Sequence, residues 1–221
     1  MNLFVGYDPK EAIAYHVFCE SVLAHVTEPV TFRPLHLSSM KFYNEAHGDG
    51  SNAFIYSRFL VPFLMNFKGW AIYCDGDMLV RDDLSVLWSL RNPEFAVQVV
   101  KHDYQTKQAQ KYLGAPNHNY PRKNWSSVII WNCSHPKHRL LTPEFVASAA
   151  GSYLHRFSWL DDAEIGDLDK TWNWLVGEYP PNTEAHLVHF TLGTPCFEGY
   201  RSDAEASEWM DYLRSLNRGL D

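Results

Sequence analysis

The chain has 221 residues, a formal net charge of −7 and 46% hydrophobic residues, which fits one folded domain rather than a disordered protein. Its acidic balance argues against sequence-independent binding to DNA or RNA, because such binding needs a cationic surface. A substrate that carries phosphate must therefore be held by something other than bulk charge.

The start of the chain and the cysteines bear on the cellular compartment. Residues 1–10 lack the basic start and the apolar stretch of a signal peptide. No window approaches 18 uninterrupted apolar residues, so we expect no integral membrane segment. The four cysteines are widely spaced and no pair has metal-ligand spacing, so we expect reduced thiols and a cytoplasmic location.

Apolar patterns predict strands that alternate with helices along the chain. In chain order, the predicted elements are a strand at 2–6, a helix at 11–26, a strand at 30–37, a helix at 53–67, strands at 70–74 and 95–100 with a helix at 84–90 between them, a strand at 126–131, a helix at 143–150, a strand at 186–190 and a helix at 203–216. This alternation predicts an α/β domain with a mostly parallel sheet, in which ligands collect beyond the carboxyl ends of strands.

Two carboxylates directly follow the apolar strand at residues 70–74. Asp75 and Asp77 are one residue apart, and residues i and i+2 of an extended chain point the same way. Crowded carboxylates repel unless a cation or a proton lies between them, and a divalent ion with oxygen ligands meets that need. Gly76 lets a ligand approach the backbone closely. The alternative is an ordinary turn, because Asp-Gly is a common hairpin sequence.

The surroundings of this acidic pair resemble a known enzyme family. Three segments, at residues 56–62, 73–80 and 83–88, match in order and spacing the retaining glycosyltransferases with a GT-A fold, the family that includes glycogenin and bacterial lipopolysaccharide galactosyltransferases. That family has a helix with an Arg-Leu-x-x-Pro pattern, then a strand that ends in Asp-x-Asp, then Asp-Leu-x-x-Leu-Trp. The resemblance covers about four-fifths of the chain and implies a single GT-A domain over residues 1–221.

The resemblance implies a metal site and a donor. Asp75 and Asp77 take the places of the residues that bind Mn²⁺ or Mg²⁺ together with the diphosphate of a nucleotide-sugar. His189 takes the place of the third metal ligand, in a segment with Gly193 and Pro195 after it. Arg58 corresponds to the helix arginine that contacts the donor sugar and the first acidic residue.

Recognition of the nucleotide is expected after the first strand. The family reads the base, usually uracil, with an aspartate that corresponds to Asp8, near Gly6 and Tyr7. The usual stacking tyrosine falls at Glu11, so Tyr7 or Tyr15 replaces it or the base is held differently. The alternative for Asp8 is that Asp-Pro merely starts a turn.

The phosphate-binding lysine of the family is absent between Gly193 and Pro195. Phosphate charge must then be met by the metal, by backbone N–H groups near Gly193 or by another cation. Lys170 and Arg201 are candidates that have no support from their positions in the family pattern.

Donor-sugar contacts are expected from the second half of the chain. Ser126 and Ser127 correspond to a strand that lines the sugar in the family. Asp161 or Asp162 corresponds to an acidic residue near the anomeric carbon, although five acidic residues within 161–169 are equally compatible with a solvated helix face.

Together these features predict a metal-dependent glycosyltransferase that moves a hexose from a UDP-linked sugar to an acceptor hydroxyl with retention. Residues 1–100 are expected to hold nucleotide and metal, and residues 101–221 to hold donor sugar and acceptor. The acceptor is a glycan, a lipid-linked sugar or a protein. Two alternatives remain: a nucleotidyltransferase acting on sugar phosphates, and an inactive sugar-nucleotide-binding relative.

Overall fold

A six-stranded mixed sheet forms the centre of the molecule in the computed structural model, which describes residues 1–48 and 52–217. A second sheet of three short strands lies beside it. The strands are β1 (Asn2–Gly6), β2 (Thr31–Leu35), β3 (Trp70–Cys74), β4 (Met78–Val80), β5 (Val97–Val99), β6 (Val128–Asn132), β7 (Ile165–Asp167), β8 (Trp174–Leu175) and β9 (Leu187–His189). The α-helices are α1 (Ala12–His25), α2 (Val61–Leu64), α3 (Leu84–Ser89), α4 (Pro143–Ser148), α5 (Gly151–His155) and α6 (Ala206–Leu216).

The central sheet has the order β2-β1-β3-β6-β5-β7. Strand β1 runs parallel to β2 and β3, and β5 runs parallel to β7, whereas β6 is antiparallel to both of its neighbours. Three of the five pairings are therefore parallel, which confirms the predicted α/β class with a mostly parallel mixed sheet.

The central strands are buried on both faces, which explains their continuous apolar runs. Along β1, the side chains of Leu3 and Val5 enter one hydrophobic cluster and that of Phe4 enters another on the opposite face. Along β3, Ile72 and Tyr73 divide in the same way. Helix α1 contributes Phe18 to the first of these clusters.

The small sheet has the order β4-β9-β8 and positions the polar residues described below. Strand β4 is antiparallel to β9, with Met78 opposite His189, and β8 is parallel to β9. Strands β4, β7 and β8 were not predicted, since runs of two or three residues are too short to show a strand period.

The prediction of one continuous helix over residues 53–67 was wrong. A 3-10 turn spans Ser57–Leu60, and α2 adds only the four residues Val61–Leu64. Pro62 explains the break, because its ring clashes with the carbonyl four residues earlier and it has no N–H to donate. The chain then leaves the helical conformation at Asn66 and Phe67, which have positive φ angles of 52° and 53°.

None of the helices in residues 1–48 and 52–217 combines the length and the apolar composition that crossing a bilayer requires.

Candidate metal centre

Three buried side chains meet where the two sheets adjoin. Asp75 follows β3, Asp77 precedes β4 and His189 ends β9, and one ligand atom from each lies within 4.8 Å of the others. The pairing of β4 with β9 accounts for this convergence, since the N–H of Phe190 donates to the carbonyl of Asp77 at 2.9 Å. The cluster thus joins the carboxyl end of a central strand to the edge of the small sheet.

Gly76 is required between the two aspartates because the end of β1 passes directly against it. A Cβ at residue 76 would lie 2.2 Å from the carbonyl oxygen of Gly6, much closer than any van der Waals contact. Gly6 is confined in turn, because a Cβ there would lie 2.5 Å from the ring of Phe54. The Asp-Gly-Asp segment therefore packs closely against the end of β1 and does not form a hairpin turn.

Asp75 forms a buried ion pair with Arg58. The Arg58 Nη1 atom lies 2.8 Å from Asp75 Oδ1, and it also donates to the Ser126 carbonyl at 2.8 Å. The Tyr73 hydroxyl donates a second, short hydrogen bond to Asp75 Oδ1. Burial raises the pKa of Asp75. The positive charge of Arg58 opposes this rise, but the pKa remains above its ordinary value. Only Asp75 Oδ2 is left to face His189, at 3.9 Å from its Nε2 atom.

Asp77 and His189 face each other across the site. The His189 Nδ1 atom lies 3.0 Å from Asn173 Oδ1, and the amide nitrogen of Asn173 donates to the Asn124 carbonyl at 3.2 Å. That second bond identifies the Asn173 atom beside the imidazole as its oxygen, so Nδ1 donates to it and Nε2 is the nitrogen turned towards the acids. The Nε2 atom lies 3.4 Å from Asp77 Oδ1, a buried oxygen with no hydrogen-bond partner among the described residues.

This donor set fits a divalent cation. Two buried carboxylates and one imidazole converge on one point, which is unfavourable for the carboxylates unless positive charge lies there. Burial acts to raise the pKa of Asp77, and the nearby His189 outweighs it, so the pKa is lowered and the carboxylate stays ionised. Mixed oxygen and nitrogen ligands suit Mn²⁺. Asp75, Asp77 and His189 would hold the ion.

Asn173 is a positioning residue for this site, and its side chain is fully buried. We expect Asn173→Ala to weaken Mn²⁺ binding about 10- to 100-fold, as loss of the partner of a ligating histidine does. Asn173→Asp, which keeps an acceptor for the imidazole N–H, should bind Mn²⁺ more tightly than Asn173→Ala. Calorimetric titration with Mn²⁺ measures both. Equal affinity in Asn173→Ala and the wild type would contradict this role.

A polar cavity opens beside the three ligands. Besides Asp77 Oδ1, three of its buried lining atoms, Asn52 Oδ1, the Tyr112 hydroxyl oxygen and His155 Nε2, have no hydrogen-bond partner among the described residues. Burial, followed by the charge of Arg58, lowers the pKa of His155 to about 3, so this imidazole is neutral. Buried polar groups without partners are rare in folded proteins and indicate a ligand that supplies them. A molecule with several hydroxyl groups meets this need.

The predicted sugar-binding serines lie in this cavity. Ser126 and Ser127 line it from the 3-10 turn that precedes β6. The Ser126 hydroxyl is 2.8 Å from His155 Nδ1, and the Ser127 carbonyl accepts from the N–H of Asp75 at 3.0 Å. The antiparallel entry of β6 into the sheet brings both serines to the edge where β3 ends.

The residues predicted for the base lie at the end of β1. The carboxylate of Asp8 accepts from the N–H groups of Lys10 at 2.9 Å and Ala53 at 3.0 Å. It therefore caps the turn that precedes α1 and ties this turn to a distant segment. Tyr7 packs edge-on against Tyr15, with ring centroids 5.5 Å apart. The structure does not place any of these three among the residues that line the polar cavity.

Glu11 is a buried acid close to the predicted base site. Burial, with the charge of Asp77 added to it, raises the pKa of Glu11 to about 8. Its Oε2 atom accepts from the Thr194 hydroxyl at 3.4 Å, and its Oε1 atom has no hydrogen-bond partner among the described residues. At neutral pH this carboxyl group is therefore largely protonated and able to donate.

Asp161 and Asp162 are not brought to the cavity. Their side chains are 82% and 85% exposed, and they pair with Lys137 and Arg122 respectively. Gly193 lies close to the site, but its N–H donates to the Phe190 carbonyl at 2.9 Å. The roles predicted for these residues remain predictions.

Several cavity residues were missed from the sequence. Lys111, Tyr120 and Thr191 line the cavity, and Asn173 supports it from behind. One signal was available: no element was predicted between residues 100 and 126, and connections of that length are often functional. No periodicity within this segment distinguishes Lys111 from its neighbours.

The architecture is that of the GT-A glycosyltransferases. The apo bifunctional glycosyltransferase WbbM superposes with a TM-score of 0.61 at 12% identity, over 96% of this chain and 51% of WbbM. GlyE of Streptococcus pneumoniae TIGR4 gives 0.59 at 14% identity, over 96% and 60% of the two chains. The galactosyltransferase LgtC, in complex with donor and acceptor sugar analogs, gives 0.56 at 13% identity, over 97% and 96%. The chain spans about half the length of WbbM, and identities this low show the fold alone.

The chain belongs to the family of Protein CDI of Arabidopsis thaliana. The two sequences are 38% identical over 226 residues, covering 98% of this chain and 87% of Protein CDI. No protein-family model matches the chain.

Proposed function

We propose that the protein is a metal-dependent glycosyltransferase that moves a hexose from a UDP-linked sugar to an acceptor hydroxyl. The observation that carries the proposal is the cluster of Asp75, Asp77 and His189 beside a polar cavity in a GT-A fold. The same fold is compatible with many chemistries, so it is the residues of the cluster that define the kind of reaction. The net charge of −7 provides no bulk cationic surface for a diphosphate ligand, so an imported cation would contribute to binding it.

The donor sugar would lie in the cavity beside Arg58. Its hydroxyl groups would satisfy the buried oxygen of Asn52 and the buried Nε2 atom of His155, with Ser126 and Ser127 on the same wall. Neutral imidazole, amide and hydroxyl groups are suited to a sugar, since they recognise hydroxyls without requiring charge.

A bound Mn²⁺ or Mg²⁺ would act as a Lewis acid that neutralises charge on the leaving nucleotide. The chain's own contribution is electrostatic. Asp75 and Asp77 would hold the cation, Arg58 fixes Asp75 and opposes the rise in its pKa that burial causes, and Asn173 orients His189 so that its Nε2 atom is turned towards the acids. We also propose that the anomeric configuration of the transferred sugar is retained, because the family that the sequence resembles retains it.

The nucleotide base and the acceptor are proposed from the family resemblance. Uracil is proposed as the base because the resemblance places Asp8 at its reading position, with Tyr7 and Tyr15 beside it. The neutral acid of Glu11 adds a donor in the same region. The acceptor is proposed to be a glycan, a lipid-linked sugar or a protein, bound from residues 101–217.

A panel of nucleotide-sugars tests this function. Purified protein is incubated with UDP-, GDP-, ADP- and CDP-linked hexoses in Mn²⁺, and released nucleoside diphosphate is measured. We expect slow hydrolysis of one class of donor, its loss in EDTA and its return when Mn²⁺ is added. An absence of any metal-dependent release, together with an absence of metal-dependent binding of every donor, would overturn the proposal.

A further inference from the structure

The cavity contains one cation that the metal cluster does not use. Arg58 is committed to Asp75, to the Ser126 carbonyl and to the Ile55 carbonyl. Lys111 also lines the cavity, and within residues 1–48 and 52–217 its ammonium group donates only to the neutral hydroxyl of Thr191, at 3.3 Å. Among the described residues that line the cavity, Lys111 is thus the cation without a carboxylate partner in contact.

The backbone at Lys111 is hydrogen-bonded on both sides although it lies in a long connection. The Lys111 N–H donates to the Ala115 carbonyl at 2.8 Å, and the next N–H, of Tyr112, donates to the Leu192 carbonyl at 2.8 Å. This second bond attaches the connection to the segment that follows His189. The contact is close, since a Cβ on Gly193 would lie 2.9 Å from the Cβ of Tyr112.

Thr194 occupies the position at which the glycosyltransferase family described above has a phosphate-binding lysine. Its side chain is fully buried, and its hydroxyl group donates to Glu11. A ligand in the cavity is therefore not contacted by a cation from residues 193–195. Lys170, another sequence candidate, lies over the ring of Trp174 at 5.3 Å, outside the cavity lining.

We propose that Lys111 binds the diphosphate of the nucleotide-sugar and replaces the lysine that is missing after Gly193. This inference rests on the proposed function. The ammonium group lies on the same wall as Thr191, two residues beyond the metal ligand His189, so a diphosphate on the cation at Asp77 comes within its reach. Lysine suits this task as a compact charge on a flexible stem.

The electrostatic surroundings agree with this role. Burial lowers the pKa of Lys111, and the charges of Asp77 and then Asp75 act against that lowering. A diphosphate adds negative charge at the same place and favours the charged ammonium. Arg58 and Lys111 together balance the charges of Asp75 and Asp77, and a divalent cation with a diphosphate dianion would add equal and opposite charge, so the site stays balanced when both bind.

The proposal is tested by measuring how substitution of Lys111 changes the binding of UDP and the binding of Mn²⁺. We expect Lys111→Met to weaken binding of UDP in saturating Mn²⁺ about 10- to 100-fold, the range for a lost hydrogen bond to a charged group. Binding of Mn²⁺ alone should be unchanged or tighter, because a neighbouring positive charge has been removed. Lys111→Arg should recover most of the affinity for UDP. Lys68→Met, which removes an exposed lysine, is the matched control.

Calorimetric titrations and thermal unfolding of the four proteins give the readout. If the wild type binds UDP with Mn²⁺ and Lys111→Met binds it equally well, the inference is overturned and the proposed function stands. If the wild type binds none of UDP, GDP, ADP and CDP with Mn²⁺, both fail. If Lys111→Met loses affinity for Mn²⁺ and UDP together, its effect is on the metal site and the inference is wrong.

Discussion

Asp77→Asn should lower metal-dependent release of nucleoside diphosphate from the preferred donor by at least about 100-fold. Asp77 supplies an ionised oxygen with no hydrogen-bond partner among the described residues, and asparagine removes its charge while keeping its shape. The measurement is the initial rate at saturating donor across a range of Mn²⁺ concentrations. Asp82→Asn, five residues further on and outside the cluster, is the control and should retain wild-type turnover.

The same substitution should lower stability only modestly. In EDTA, Asp77 is buried beside His189, which lowers its pKa and so favours the ionised carboxylate in the folded state, and asparagine keeps the shape while losing that interaction. Chemical denaturation of both variants in EDTA checks this. Full activity in Asp77→Asn, or a loss of activity that only follows unfolding, would contradict the assignment.

Arg58→Met should destabilise the fold by about 3–5 kcal/mol, because it leaves Asp75 buried without its charged partner. The side chains of Arg58 and Asp75 are only 4% and 7% exposed, and the guanidinium also holds two carbonyls of neighbouring segments. Methionine keeps most of the volume, so the change reports lost charge pairing more than lost packing. Urea denaturation in EDTA, which removes any contribution from bound metal, measures the free energy of unfolding.

Two further variants separate charge from packing. Arg33→Met removes an exposed arginine over the ring of Phe4 and should change stability by less than about 0.5 kcal/mol. In the double variant Arg58→Met with Asp75→Asn, no buried charge is left unpaired, so much of the lost stability should return. An unfolding free energy of Arg58→Met equal to that of the wild type would show that the pair is not needed by the fold.

The metal cluster was predictable from the family resemblance, which assigned all three ligands. The positions of Asp75 and His189 at the ends of apolar runs agreed with it, although β3 and β9 belong to different sheets. The small sheet that brings β9 to Asp77 was not visible, because strands of two or three residues have no period to detect. The sequence therefore indicated that Asp75, Asp77 and His189 form one site, and the small sheet explains how His189 is brought to the two aspartates.

The rest of the cavity depends on contacts between distant segments. Lys111 lies in a long connection without periodicity, and this connection is attached to the site through the backbone bond from the next residue, Tyr112, to Leu192. Asn173 is 16 residues from the histidine that it orients. Neither relation leaves a local pattern, whereas Asp161 and Asp162 have a suggestive local pattern and lie on the surface. Local acidic density is a weak guide because solvated surfaces show it too.

Product analysis tests the central claim most directly. The protein is incubated with Mn²⁺, its preferred UDP-sugar and inorganic pyrophosphate, and the nucleotides are separated and quantified. Glycosyl transfer breaks the bond between the sugar and the diphosphate, so UDP should form in the same amount as free or transferred sugar, with or without pyrophosphate. Formation of UTP and sugar 1-phosphate only when pyrophosphate is present would instead identify a nucleotidyltransferase and contradict the account.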